Sequence, residues 1–318
     1  MMLNLIMNEW IKLFSRSGTI IMVELFVFMI FGIAGISMYD EIKYPPKENN
    51  HWKAELKLQI EHDQDQLMEL GNINDNKKMN FERKIAINEY KIARNIEPSA
   101  KLHVWDFVRL SGELIRLIGI YVIIIAAGIV SAEFSWGTIK LLAIRPIKRS
   151  KILLSKYLTV LLFGLVLSAT LLILSTIIGI VLFGFPDGEV FHLAYYNGNV
   201  IERNIVGQLI LEYILNSVDL LMIATMAFMI SAIFRNSNLA IGLSVFSLFM
   251  GKAITVLFAE KFNWLKYFLF ANTDLSVYID GVPLVEGMTL SFSMYMLCIY
   301  LGVFLVLSIL FFSKRDIY

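Results

Sequence analysis

The chain opens with M-M-L-N-L-I-M-N-E-W-I-K-L-F-S, in which Leu3, Ile6, Met7, Trp10, Leu13 and Phe14 recur at helical spacing with Asn4, Asn8, Glu9 and Lys12 between them. This pattern predicts an amphipathic helix within residues 1–18, too polar to span a bilayer and suited to its interface, with Trp10 at head-group depth. From about Thr19 to Tyr39 the polar positions nearly vanish. At about 1.5 Å per residue this run crosses a hydrocarbon core of about 30 Å. It is longer than the roughly 7–15-residue core of a cleaved signal peptide, so it reads as a retained span. Further apolar runs at about 114–132, 152–185, 208–234, 239–258 and 290–313 make six predicted spans, the third long enough to tilt or protrude.

The polar intervals carry their own patterns. In residues 40–113, Trp52, Leu56, Ile60, Leu67 and Leu70 form one helical stripe and Phe81, Ile85, Ile92 and Ile96 a second, with G-N-I-N-D-N between them and Pro98 after them. Two amphipathic helices around a turn predict a helical hairpin that packs its stripes together outside the bilayer. The segment P-D-G-E-V-F-H-L-A-Y-Y-N-G-N-V-I-E-R-N reads as a wet loop, and Arg235, Asn236 and Ser237 as a tight turn. Residues 260–290 mix aromatics with short apolar pieces, Asp274, Asp280, Pro283 and Glu286, and read as an outer loop with short interfacial helices. The expected fold is an all-α integral membrane protein: an interfacial helix (1–18), a six-helix transmembrane domain (19–39 and 114–318) and an extracytoplasmic helical-hairpin insertion (40–113).

Composition agrees, with 57% hydrophobic and 17% charged residues, more apolar than a soluble domain of this length needs to be. The net charge of +1 hides a concentration of about half the charged residues between Asp40 and Glu113. Cys298 is the one cysteine, so no intrachain disulfide forms. His51, His62 and His103 have no metal-ligand spacing. Phosphate-binding loops, zinc-protease motifs, serine nucleophile elbows and dinucleotide fingerprints are all missing from the sequence. The chain is therefore expected to be non-catalytic.

Charge inside the spans marks candidate positions for transport. Glu24 lies in the first span, where a structural pair with Arg16 is the expectation. Glu212, Asn216 and Asp219 share one stripe of the fourth, and Lys252 lies in the fifth. Such a stripe cannot face lipid cheaply. A pair between Lys252 and Asp219 or Glu212 would offset the burial of both charges; alternatively Lys252 snorkels outward and the acids meet loop water.

The connector between the second and third spans, Glu133 to Tyr157, carries six Lys/Arg against one acid. With the first helix, the turn at Arg235 and the Lys314-Arg315 tail it holds about eleven bases, which puts these segments and both termini in the cytoplasm. The 40–113 insertion is then extracytoplasmic, which its own bases do not oppose, because segments longer than about 60 residues cross largely regardless of charge.

Within this connector an acid (Glu133) ends a span and Gly137-Thr138 opens a short segment of Ile139, Lys140 and Leu142. Arg145-Pro146, Arg149 and Lys156 follow, the last entering the next span. The order resembles the permease signature of ABC-2 type ABC transporters, a likeness that extends to the amphipathic first helix, the six spans, the R-N-S-N turn and the re-entrant-looking segment before the last span. Thr138 can cap a short helix from Ile139 that Pro146 ends near Ile144, and Ser150 can cap the third span. The stub resembles the family's coupling helix, which docks on an ATPase subunit.

The resemblance implies the membrane subunit of an exporter in a bacterial plasma membrane. Two permeases, identical or related, would face each other and bind two cytoplasmic ATPase subunits. ATP and Mg would be held by those partners, with no cofactor in this chain and no nucleic acid. Cargoes of such relatives include drugs, antimicrobial peptides and lipids, which ties the architecture to multidrug or peptide resistance. Two other classes stay open: a gradient-driven carrier using Glu212, Asp219 and Lys252, and a peptide-sensing or immunity protein that binds its ligand through residues 52–97.

Overall fold

The computed structural model describes residues 2–45, 51–70, 75–98, 101–135, 137, 147–186, 188, 190–196, 198–259, 261–279, 283, 285 and 287–314. Helix α1 (Met2–Phe14) leads into α2 (Ser17–Lys43), and α3 (Trp52–Leu70) and α4 (Asp75–Arg94) form an antiparallel pair. Helix α5 (Val104–Ser111) continues through a 3-10 turn (Gly112–Leu114) into α6 (Ile115–Ser135). Then come α7 (Arg149–Leu182), strands β1 (Phe191–Tyr196) and β2 (Asn199–Asn204), α8 (Ile205–Phe234), α9 (Ser237–Phe258) and finally α10 (Leu290–Lys314).

Six of these segments are long and apolar enough to cross a membrane: Ser17–Lys43, Val104–Ser135, Arg149–Leu182, Ile205–Phe234, Ser237–Phe258 and Leu290–Ser313. The chain is an α-helical membrane protein. At about 1.5 Å per residue, the 34 residues of α7 run well past a bilayer core, as the long apolar run predicts.

Burial divides the spans into centre and periphery. The apolar windows of α5–α6 and α8 are 72% and 61% buried, against 17% for α9 and 22% each for α2 and α10. Helices α6 and α8 make the most extensive pairing. Ser231 donates to the Ala127 carbonyl at 2.6 Å across it, and Tyr157 of α7 meets Thr225 at 2.8 Å. Close approach is set by small residues. A side-chain carbon at Gly164 would stand 2.9 Å from Leu220 and 3.2 Å from Val122, and one at Gly251 would run into the Phe270 ring. Helix α2 turns only a narrow line inward, Phe26, Ile30, Ala34 and Ser37.

Local signals fix most ends. His103 and Asp106 form a reciprocal capping box at the start of α5. The Asn204 side chain accepts from the Val206 and Gly207 amides to start α8, and Asn236 caps α9. Arg235 ends α8 in the left-handed region at φ 54°, which makes the tight turn, and its guanidinium lies 4.4 Å from the Phe134 ring centroid. Helix α7 begins at Arg149 after an N-cap position at Lys148 without a side-chain cap, so Ser150 is inside the helix and does not cap it.

Helix α1 exposes Leu3 and Met7 and buries Glu9 and Leu13. Two expectations about the polar intervals are corrected. The wet loop holds an antiparallel hairpin with Tyr196 paired to Asn199 across Gly198, whose φ of 82° suits a tight turn. The segment before the last span is folded in, with Leu269, Phe270, Ala271, Asn272, Thr273 and Leu275 buried against α9 and α10. Asn272 holds it by donating to the Lys266 and Phe268 carbonyls at 2.8 Å and accepting from Ser293 at 2.8 Å. Tyr278 closes on Ser293 at 2.6 Å, and burial raises its phenol above the ordinary range.

Candidate functional site

Two charged clusters lie at opposite ends of the bundle. At the end bearing α1, Lys156 of α7 reaches Glu9 of α1 and Glu133 of α6, each at 2.7 Å. The side chains are 1%, 6% and 9% exposed respectively. Lys12, nearly half exposed, stands 3.4 Å from Glu9 and 3.7 Å from Glu133. Among the described residues the cluster sets two carboxylates against two ammonium groups. Helical spacing puts Glu9 on the side of α1 opposite Leu3, Met7 and Ile11, which are exposed. Facing α1 the other way would bury those three and strand Glu9 in hydrocarbon, at a cost of several kcal/mol for an unpaired charge.

Glu133 and Lys156 are the residues read from sequence as the two ends of the connector, and the fold brings them into contact. Gly137 adopts φ 70° just past α6, where a side chain would be strained. Arg149 donates to the Ser313 carbonyl at 3.4 Å, placing a cation at the carboxyl end of α10. Thr138, Ile139, Lys140, Leu142, Arg145 and Pro146 lie outside the described residues.

At the other end, where α3, α4 and the β-hairpin are, a polar cavity of about 260 Å³ opens between α5–α6, α8, α9 and the Asp274–Ser276 turn. Glu212, Asn216 and Asp219 line it, as does Lys252. Lys252 lies 3.4 Å from Asp219 and 3.4 Å from Asp274. The expected pair with Asp219 therefore forms, and Asp274 is a second partner from the folded-in segment. Glu212 pairs elsewhere, 3.9 Å from Arg109 and accepting from Gln208 at 3.0 Å. Glu24 is on the exposed side of α2 and joins neither cluster.

The cavity mouth is tied to the polar modules above it. Arg109 lies 3.2 Å from His192 of β1, and Arg203 of β2 donates to Gln208 at 3.5 Å. Tyr90 of α4 donates to Glu202 at 3.0 Å, and desolvation together with that carboxylate raises the Tyr90 phenol. Helix α4 therefore rests on the β-hairpin, and the β-hairpin on the rim of the cavity.

Among the sequence candidates, the structure unites Glu133 with Lys156, and Asp219 with Lys252. Sequence reading missed Glu9, Arg109 and Asp274. A charge placed among apolar positions of a helix was the available signal for Glu9; for the other two, no local signal exists.

These features define a class: a polytopic α-helical membrane protein with a closed charge cluster at one end and an open polar cavity at the other. Within that class, the chain belongs to the family described as "Protein of unknown function (DUF2705)", whose model matches residues 77–318. It is 47% identical over 319 aligned residues to "Uncharacterized protein YhcI" of Bacillus subtilis (strain 168), covering 99% of each chain. It is 34% identical over 198 residues to "Uncharacterized membrane protein YdbK" of the same organism, covering 61% of this chain and 76% of that one.

Proposed function

We propose that this protein is the membrane-spanning subunit of an ATP-driven exporter of the ABC-2 type, moving a hydrophobic or amphipathic cargo with ATP hydrolysed by separate cytoplasmic subunits. The observation that carries the reading is the Glu9–Lys156–Glu133 cluster. It joins both flanks of the basic connector to the amphipathic helix, so a force on the connector moves α1, α6 and α7 together. Buried ion pairs are poor stabilisers compared with apolar packing but hold one geometry in register, which is what a transmission element needs. In this reading the α1 end is cytoplasmic in the cell membrane, the connector docks on the ATPase, and two permeases pair around the cargo path.

The test is co-purification with a Walker-motif ATPase encoded next to this reading frame. A stable complex is expected, with ATPase activity altered by the permease and lost on charge reversal at Arg145. Failure to form any complex overturns the reading.

The Lys252–Asp219–Asp274 group favours a second reading, a carrier driven by an ion gradient. It requires transport in ATP-free vesicles and loss of that transport in Asp219→Asn.

A further inference from the structure

The two clusters differ in a respect that bears on ligands. At the α1 end both Lys156 contacts are 2.7 Å, the length of a formed charge-assisted hydrogen bond. Around the cavity the ion pairs stand at 3.4 Å for each Lys252 contact, 3.7 Å for Arg116 to Glu113 and 3.9 Å for Arg109 to Glu212. All exceed the roughly 2.7–2.9 Å of such a bond. Asp219 Oδ1 is buried and accepts no hydrogen bond from any described residue. In the first cluster each carboxylate takes a 2.7 Å bond from Lys156, whereas in the second Asp274 is bonded by Ser276 and Glu212 by Gln208, and the Asp219 Oδ1 stands unspent beside an open space.

Both signs line that space. Arg109 and Arg116 stand on the α5–α6 wall with Glu113, which lies 3.7 Å from Arg116; Glu212 and Asp219 face them from α8, and Lys252 of α9 lies between Asp219 and Asp274 at 3.4 Å from each. A purely cationic ligand would meet the arginines and a purely anionic one the carboxylates. A molecule with both charges a few ångströms apart satisfies both walls. The volume of about 260 Å³ holds roughly nine waters at about 30 Å³ each and falls below the ~300–1,000 Å³ of sites for drug-sized ligands, so the occupant is the size of a head group.

We infer that this cavity binds a small zwitterion, with its ammonium toward the unpartnered Asp219 Oδ1 and its phosphate or carboxylate toward Arg109 and Arg116. Arginine suits that second role because its planar fork meets either anion with two parallel bonds. The same chemistry is offered by a free solute and by an aminophospholipid head group. Binding here needs no ATPase, so the inference stands or falls apart from the proposed export function.

The test uses the full chain in maltoside micelles with phosphoethanolamine as probe, followed by thermal unfolding. A saturable rise in Tm is expected, absent with ethanolamine alone or glycerol phosphate alone. Apparent affinity should fall about tenfold, a loss of ~1.4 kcal/mol, in Asp219→Asn and in Arg116→Gln. The Arg116 side chain is 72% exposed, so the second variant keeps the test valid should the first not fold. Equal stabilisation by either singly charged probe, or unchanged affinity in Arg116→Gln, overturns the inference. Native mass spectrometry from phosphatidylglycerol nanodiscs with added phosphatidylethanolamine separates the sources. One phosphatidylethanolamine retained by wild type and lost by Arg116→Gln assigns a lipid head group. A Tm response without lipid retention assigns a free solute, and neither response refutes the site.

Discussion

Replacing Lys156 with Met removes the cation shared by Glu9 and Glu133, the one that stands 2.7 Å from each of these two nearly buried carboxylates, while Lys12 stands farther off and half exposed. At 2.7 Å and an effective dielectric of about 20, each contact is worth ~6 kcal/mol of Coulomb attraction. Much of this offsets the desolvation of three charges, several kcal/mol apiece, so the expected net loss is the ~3–5 kcal/mol typical of removing one partner from a buried pair. An unfolding entropy of about 2.1 cal/mol/K per residue over 318 residues makes each kcal/mol worth roughly 1.5 °C. Lys156→Met should therefore lower Tm by about 5–7 °C, measured by differential scanning fluorimetry of the detergent-purified protein. The triple variant Lys156→Met, Glu9→Gln, Glu133→Gln should recover most of that loss, because it removes the stranded charge along with its partner. A single variant within about 1 °C of wild type, or a triple variant worse than the single, would refute the buried-charge argument.

Other sites give sharper or milder outcomes. Gly251→Ala drives a methyl into the Phe270 ring and should cost about 1–3 kcal/mol as overpacking, read as a lower Tm. Ser231→Ala deletes one bond between the central helices and should cost only about 0.6 kcal/mol, the mean for such bonds in membrane bundles. Asn204→Ala removes the cap of α8 and should cost about 1 kcal/mol, with faster amide exchange confined to the first turn of that helix. Tyr90→Phe breaks an exposed contact to Glu202 and should leave Tm unchanged while increasing exchange in β2.

The six spans were legible because membrane crossing demands a long apolar run, and hydropathy alone reports it. The helical hairpin was legible from two stripes around a turn. What periodicity could not show was which side of α1 faces protein, because that is decided by Lys156, 147 residues away from Glu9. A pattern of apolar spacing records where a helix is apolar, but here lipid and protein compete for the apolar side and a charge settles the contest. The pairing of Lys252 was half legible. Asp219 stood in view as an intramembrane acid, while Asp274 was hidden in a stretch that reads as surface loop until Asn272 folds it inward. The β-hairpin did carry its signal, Asn197-Gly198 between alternating residues of F-H-L-A-Y-Y and N-V-I-E-R-N.

The distribution of burial also fixes an order of events during synthesis. Helix α2 enters the bilayer first, yet its most extensive packing is against α7, whose first residue is Arg149. Until then α2 has only its smaller contacts with α1, α5 and Tyr121 of α6, and its largely apolar, outward-facing sides permit it to persist among lipids. Glu9 waits equally long for Lys156, but it does so on a 13-residue helix that is not itself a span. Placing the early half of the charge cluster on α1 spares the first span a second carboxylate beside Glu24 through the translation of the whole intervening segment.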